Sequence, residues 1–336
     1  MSNLISDKTA TDSSFVHSSH SREGLVLLYH RINTLKNDPW RLAVESRVFS
    51  AQLKLLKQQF SILPLNDLGV TRKKDKKMPV YITFDDGYLD NFTVAKPLLE
   101  YHHVPCTFFI TTDAIGSSKE FWWDALENIV YNSSADALIE ILRHENLNLG
   151  GNKKNDSLEP GELFGKIWAG KRVRTLIYYY LWEIMYKNNS ESKTKIMETL
   201  HNISSLPSTQ RETHKTMTPE NIYTLAKSSL FDLGGHGVTH DALGNIDRDT
   251  AHSEMEVSHR YLNRYTDSIC AFSYPHGSVP EDSIGICNKL DIDFAFTTQS
   301  GVLNNHTNVL EIPRLTVENW SAKNLIKRIN RILKSS

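Results

Sequence analysis

Val80-Tyr81-Ile82-Thr83-Phe84 runs straight into Asp85-Asp86-Gly87-Tyr88. The first five residues form a continuous apolar run of strand length, as expected for a strand buried on both faces. The acid pair and glycine that end it have the composition of a turn. At a strand end neighbouring side chains point to different sides. Asp85 and Asp86 can therefore divide two tasks, one carboxylate binding a metal and the other facing a reacting water. Alone, Asp-Asp-Gly is also an ordinary turn, so the rest of the chain has to decide.

Similar runs occur on either side, at Leu25–Tyr29 and Cys106–Ile110, with further candidates at Leu230–Leu233, Ala271–Tyr274 and Phe294–Thr298. Helical spacings separate them: Phe49, Leu53, Leu56 and Phe60, then Ala95, Leu98 and Leu99. Strand and helix in alternation predict an α/β fold with a mainly parallel sheet or barrel. From Trp122 to about Thr216 the strand signal disappears. Val173, Leu176, Ile177, Tyr180, Leu181 and Ile184 predict an amphipathic helix there. Ile196, Leu200 and Ile203 continue the pattern, and Gly150–Pro160 reads as a polar loop. This region, 122–216, is expected to be a helical insertion within one α/β domain spanning 24–336. Thr218-Pro219-Glu220 restarts a helix, with Thr218 as its N-cap. Ser321–Lys334 is a last amphipathic helix whose outer face carries Lys323, Lys327, Arg328, Arg331 and Lys334. It reads as a docked terminal helix with a solvated basic face, the alternative being a peripheral membrane-surface anchor.

Composition narrows the function classes. Of 336 residues 40% are hydrophobic and 23% charged, which excludes collagen-like and wholly disordered chains. Lys plus Arg is 38 against 39 for Asp plus Glu, so no nucleic-acid partner is expected. Cys106, Cys270 and Cys287 lie far apart and make neither a disulfide framework nor a zinc ribbon, which fits a reducing compartment. Residues 1–23 are rich in Ser, Thr and His and have no apolar run, and read as a disordered tail without a signal peptide. The expectation is a cytoplasmic protein, at most peripheral at the inner membrane.

Two other stretches join the acid pair. Gly234-Gly235-His236-Gly237-Val238-Thr239-His240 places two histidines four residues apart, a spacing that can present both imidazoles on one side of a helical turn to zinc or a similar divalent ion. Phe272-Ser273-Tyr274-Pro275-His276-Gly277 leads an apolar stretch into a turn whose free N–H groups can face a pocket. Asp86, His236 and His240 together would make a two-histidine, one-carboxylate set. Such a set serves zinc hydrolysis or non-haem iron chemistry. The extra carboxylate favours hydrolysis, because an activated water still needs a base.

In this order, TFDDGY, HGVTH and SYPHG resemble the three motifs of the polysaccharide deacetylase family, the NodB-homology or carbohydrate esterase family 4 enzymes. The resemblance covers roughly Gly24–Asp113 and Thr218–Val317. It implies a distorted β/α barrel (NodB-like) with the site at the C-terminal ends of the strands. It assigns Asp85 as catalytic base, Asp86, His236 and His240 as ligands of a divalent metal, zinc first, and the His276 N–H as an oxyanion donor. The usual third-motif arginine is missing around Ala271 and Ser273, and the usual late Leu-x-His motif is missing from Leu310–Leu315. Leu28-Tyr29-His30-Arg31 is similar to the Tyr-His-Arg motif of the permuted branch, which includes biofilm poly-N-acetylglucosamine deacetylases. That makes His30 the general-acid candidate and Arg314 the substitute for the missing arginine, with a structural ion pair as the alternative for Arg314. Tyr88, Trp122, Trp123 and Tyr274 are the expected substrate contacts, although the tryptophans could instead seal the insertion onto the barrel.

The implied activity is removal of an N-acetyl group from an amino-sugar-containing saccharide, whether in a glycan, lipid-linked or nucleotide-linked. Deformylation, hydrolysis of another amide, and a catalytically inactive sugar-binding module are the alternatives.

Overall fold

The computed structural model describes residues 24–68, 77–144, 171–266 and 269–335. The expected tail at 1–23 and the polar loop Gly150–Pro160 lie outside the described residues. Each apolar run becomes a strand: β1 (Leu25–Tyr29), β3 (Pro79–Phe84), β4 (Cys106–Ile110), β5 (Phe231–Gly235), β6 (Ala271–Ser273) and β7 (Phe294–Phe296). Two further strands, β2 (Ser61–Ile62) and β8 (Leu315–Thr316), have only two residues each, too short to leave an apolar run in the sequence.

The strand order is β7-β6-β5-β4-β3-β1-β8, with β2 beside β3, and every pairing is parallel. Parallel neighbours need crossover connections. Among them are α1 (Ser46–Gln59) before β2, and α2 (Lys96–His102) between β3 and β4. Phe296 at the end of β7 makes a parallel bridge to Ile312, just before β8, so the sheet curls back on itself. The result is an α/β fold, a distorted β/α barrel.

Alternation along the strands sorts the core. Leu25, Leu27, Tyr29, Val80, Ile82 and Phe84 pack with helical residues such as Phe49 and Leu53 on the outside. Val26, Tyr81, Phe109, Ala271 and Phe296 come from strands around the sheet and, with Ile312 just before β8, meet each other across the interior. Gly234 is needed there: a Cβ at that position would lie 2.4 Å from the Phe109 ring. Along the same inward faces the next residues toward the C-terminal ends are Thr83, Asp85, Ser273 and Arg314. The barrel top is therefore polar by the same period-two rule that makes its middle apolar.

Between β4 and β5 the described residues are largely helical: α3 (Trp122–Asn132), α4 (Ala135–Arg143), α5 (Lys171–Tyr186) and α6 (Ser190–Ser204). They share a separate core that includes Leu126, Ile129, Leu138, Leu181 and Leu200. Helix α5 buries Ile177, Tyr178, Leu181 and Met185, while Leu176 and Tyr180 are exposed. Its buried face is thus rotated from the stripe expected in the sequence, because apolar residues run almost all the way round it.

Thr218 caps α7 (Pro219–Ala226) in a capping box with Asn221, a feature worth ~1 kcal/mol. Helix α8 (Arg248–Leu262) follows β5, and α9 (Ser283–Lys289) precedes β7. The terminal helix α10 (Ala322–Ser335) packs on α1 and buries Leu325, Ile326 and Ile329. Docking on the barrel therefore occupies the apolar side that a membrane anchor would need, and the basic residues face outward. No helix among the described residues is long and apolar enough to cross a membrane.

Candidate active site

The chain leaves β3 through two successive left-handed residues, Asp86 at φ 76° and Gly87 at φ 87°. Aspartate tolerates this region better than most side chains. The reversal turns Asp86 toward the end of β5. There the expected helical turn is corrected: β5 ends at Gly235, and His236–His240 is a loop with Gly237 at φ 72° and His240 at φ 63°. Glu254 of α8 holds that loop. Its carboxylate accepts hydrogen bonds from the Val238 N–H at 2.8 Å, the Thr239 N–H at 2.9 Å and the Thr239 hydroxyl at 3.0 Å. No motif in the sequence signals Glu254.

The loop brings three donor atoms together. His240 Nε2 lies 3.2 Å from both Asp86 Oδ1 and His236 Nε2, and His236 Nε2 lies 3.4 Å from Asp86 Oδ1. Tetrahedral coordination with bonds of ~2.0–2.1 Å requires donor–donor edges of about 3.3–3.4 Å, and this triangle fits. All three residues are buried. The Ser273 carbonyl takes the His236 Nδ1 side at 2.7 Å, which leaves Nε2 as the free donor. Burial would raise the Asp86 carboxyl, but His236 and His240 overcome it and hold the carboxyl well below its usual range. For His236 burial works downward and the Asp85 and Asp86 carboxylates outweigh it, so its basicity rises. Burial and the neighbouring His236 leave His240 less basic than usual.

Asp85 is held separately. Arg314, buried completely, donates from Nη1 to Asp85 Oδ1 at 2.8 Å and from Nη2 to Oδ2 at 2.7 Å. Ser273 Oγ donates to Asp85 Oδ2 at 2.9 Å and accepts from Arg314 Nη2 at 2.8 Å. Burial opposes ionisation of Asp85, but Arg314 first and His236 next bring its pKa below the usual value. Asp85 Oδ2 stands 3.7 Å from His236 Nε2, beside the triad. The sequence places Ser273 only as a departure from the third motif, whereas the structure makes it a partner of Asp85, Arg314 and His236 at once.

His30 follows β1 where Asp85 follows β3, and the two strands pair Tyr29 with Phe84. Its ring is half-buried, and its Nδ1 has no hydrogen-bond partner among the described residues. Burial lowers its pKa, while Asp86 and Asp85 act in the other direction.

His276 has a left-handed backbone, φ 57°. Its turn is closed by the Gly277 N–H to Tyr274 O and the Ser278 N–H to Pro275 O, bonds that do not engage the His276 N–H. Its ring meets His240 at 4.5 Å, Tyr186 at 5.2 Å and Trp182 at 5.5 Å between centroids. Trp182 and Tyr186, four residues apart on α5, are stacked. They wall the site, and the only sequence signal for them was two aromatics at helical spacing within a largely apolar helix.

The expected substrate contacts divide. Trp122 is half-buried beside Trp182. Trp123 is packed in, stacked on Phe121 at 4.3 Å and against His240 at 4.6 Å, so it seals α3 onto the site. Tyr88 is corrected from substrate contact to brace. It is buried, donates to Asp124 Oδ2 at 2.7 Å and accepts from Trp123 Nε1 at 2.8 Å. Tyr274 is likewise corrected, being fully buried in a core cluster with its hydroxyl 3.7 Å from Cys287 Sγ.

Residues 72–140, which contain the Asp85–Asp86 turn, match the family model for polysaccharide deacetylase. The chain is 24% identical over 322 residues to a poly-beta-1,6-N-acetyl-D-glucosamine N-deacetylase of Staphylococcus epidermidis, covering 90% of this chain and 82% of that one. Among solved structures it is similar to the Streptococcus pyogenes deacetylase PplD in complex with acetate. The TM-score is 0.53 at 17% identity, over 91% of this chain and 97% of that one. It is also similar to IcaB from Ammonifex degensii, with a TM-score of 0.54 at 15% identity, over 92% and 97% of the two chains. Sequence likeness centred on the acid pair and fold likeness across the described barrel agree: the chain is similar to polysaccharide deacetylases, with residues 72–140 matching the family model.

Proposed function

We propose that this chain is a metal-dependent N-deacetylase acting on N-acetylglucosamine units of a saccharide. The observation that carries the reading is a buried carboxylate, Asp85, fixed by Arg314 beside a separate Asp86–His236–His240 donor triangle. The substrate class rests on the relative from Staphylococcus epidermidis, named for poly-β-1,6-N-acetyl-D-glucosamine.

Asp86, His236 and His240 would hold a divalent ion, which we assign as zinc and which supplies Lewis acidity to the acyl carbonyl and the attacking water. Asp85 takes the proton as the water oxygen bonds to the acyl carbon. Arg314 keeps Asp85 ionised and fixes its orientation, so little reorganisation accompanies the proton transfer. The His276 N–H is free of its own turn and donates to the developing oxyanion. Protonated His30 gives its proton to the sugar nitrogen as the C–N bond breaks, leaving acetate and a free amine. Trp182 and Tyr186 exclude water from the acyl side.

The test is acetate release from a β-1,6-linked N-acetylglucosamine oligosaccharide, compared between wild type and Asp85→Asn. Loss of a general base costs ~10²–10⁴-fold, and the variant is expected to retain its bound metal. A variant with the wild-type rate would refute the base assignment, and a wild type releasing no acetate would refute the function. Formate in place of acetate would redirect the reading to deformylation.

A further inference from the structure

The segment that leaves β3 reads Asp85-Asp86-Gly87-Tyr88-Leu89-Asp90-Asn91. The proposed reaction uses its first two carboxylates and gives no part to Asp90 and Asn91. Both are buried, Asn91 completely, so neither meets a substrate. Their polar atoms turn instead to the segment that leaves β1, His30-Arg31-Ile32-Asn33.

Asp90 gathers that segment residue by residue. Its Oδ2 accepts from Arg31 Nε at 3.0 Å, Arg31 Nη2 at 2.9 Å and Asn33 Nδ2 at 3.1 Å. Its Oδ1 accepts from the Ile32 N–H at 3.2 Å. Asn91 Nδ2 donates to Asp90 Oδ1 at 3.0 Å and to the His30 carbonyl at 2.8 Å. Arg31 is buried too, its guanidinium 4.0 Å from the centroid of the Tyr88 ring. On the other side of His30, the Asp85 N–H donates to the Tyr29 carbonyl at 3.0 Å. The two peptide groups that flank the His30 Cα are therefore both held by the segment that carries Asp85. Asn91 opens a single π-helical turn, Asn91–Ala95, closed by the Lys96 N–H to the Asn91 carbonyl. Isolated turns of this kind occur frequently at functional sites.

The His30 ring has no comparable hold. Its Nδ1 has no hydrogen-bond partner among the described residues. The backbone therefore sets where the ring stands, and a displacement of ~1 Å at a reacting group can cost about 10²-fold in rate.

From this arrangement we infer that Asp90 and Asn91 are positioning residues, which clamp the His30 backbone and fix the proton donor relative to the Asp85 base. The inference rests on the deacetylase reading for the role of His30. It adds that one segment, residues 85–91, carries the base, a candidate metal ligand and the mount of the acid.

Asn91→Ala removes the bond to the His30 carbonyl and leaves the Arg31–Asp90 ion pair in place. Acetate release from a β-1,6-linked N-acetylglucosamine oligosaccharide is measured for zinc-loaded wild type, Asn91→Ala, His30→Ala and the double variant. Hydrogen exchange of the Ile32 amide is followed in the same proteins. Asn91→Ala should lower kcat by about ten-fold at unchanged KM, since only the chemical step is touched. On the His30→Ala background it should cost nothing further, because the group it positions is gone. Ile32 exchange should be faster in Asn91→Ala than in the wild type. Asn33→Ala removes one bond to the same carboxylate from a half-buried position, and should lower kcat by a smaller factor, again only while His30 is present. General damage to the fold would lower kcat by the same factor on both backgrounds, and that result would overturn the positioning role. Unchanged Ile32 exchange would overturn the clamp. Faster exchange with no acetate released by the wild type would uphold the clamp and overturn the deacetylase reading. Acetate released by Asn91→Ala at the wild-type rate would do the reverse.

Discussion

Arg314 closes on Asp85 through two parallel hydrogen bonds, Nη1 to Oδ1 at 2.8 Å and Nη2 to Oδ2 at 2.7 Å, and both residues are buried. A bidentate guanidinium favours the ionised carboxylate and fixes its plane. Removing it raises the Asp85 pKa, so the acid limb of kcat/KM should move to higher pH in Arg314→Met. The rate at neutral pH should fall by about 10²-fold or more. Breaking the pair should also cost ~3–5 kcal/mol of stability. Arg314→Lys keeps the charge and loses the fork, so it should fall between the two. An unmoved acid limb would show that Arg314 does not set the state of Asp85.

Glu254 shapes the Asp86–His236–His240 triad without touching it. It accepts hydrogen bonds from two N–H groups and a hydroxyl in the loop between His236 and His240. Glu254→Ala frees that loop and should weaken metal affinity by ~10–100-fold, as measured by competition with a chelating dye. Unchanged affinity would mean that the glycine-rich loop holds its shape unaided.

Asp124 links α3 to the barrel through Tyr88, and burial lifts its pKa from 3.8 to about 7. The folded state therefore binds a proton that the unfolded state releases above about pH 4. The resulting stabilisation is complete below the unfolded pKa and is lost as pH rises toward 7. On the order of 4 kcal/mol is at stake for a shift of this size. Asp124→Asn keeps an acceptor for Tyr88 and cannot ionise, so its melting temperature should fall less between pH 5 and pH 8 than that of the wild type. Parallel curves would place the titration elsewhere.

Gly234 offers a test of the barrel interior. A methyl group there would meet the Phe109 ring at 2.4 Å. Gly234→Ala should lower stability by ~1–3 kcal/mol. Phe109→Leu should recover part of that loss in the double variant, giving a coupling energy visible in denaturant unfolding.

These relationships also show what the sequence could carry. β1 and β4 were legible to the residue, because buried parallel strands are continuous apolar runs. β2 and β8 were not, since their place is set by pairing with β3 and β1 rather than by composition. The triad Asp86, His236 and His240 was legible through motif spacing. Its loop geometry was not, because a four-residue histidine spacing fits a helical turn as well as a glycine loop braced by Glu254. Tyr88 and Tyr274 have amphipathic side chains that serve substrate or core equally well, and only their burial decides. Ser273, Trp182 and Tyr186 reach the site through tertiary packing, which leaves no local pattern.

The central claim is that acetate release depends on an ion held by Asp86, His236 and His240. The most direct measurement is acetate release by chelator-stripped protein on a β-1,6-linked N-acetylglucosamine oligosaccharide, before and after addition of one equivalent of zinc. Asp86→Ala is assayed beside it. The account predicts no activity when stripped, recovery at one ion per chain, and no recovery in Asp86→Ala. Full activity in the stripped protein, or equal recovery in Asp86→Ala, would contradict it.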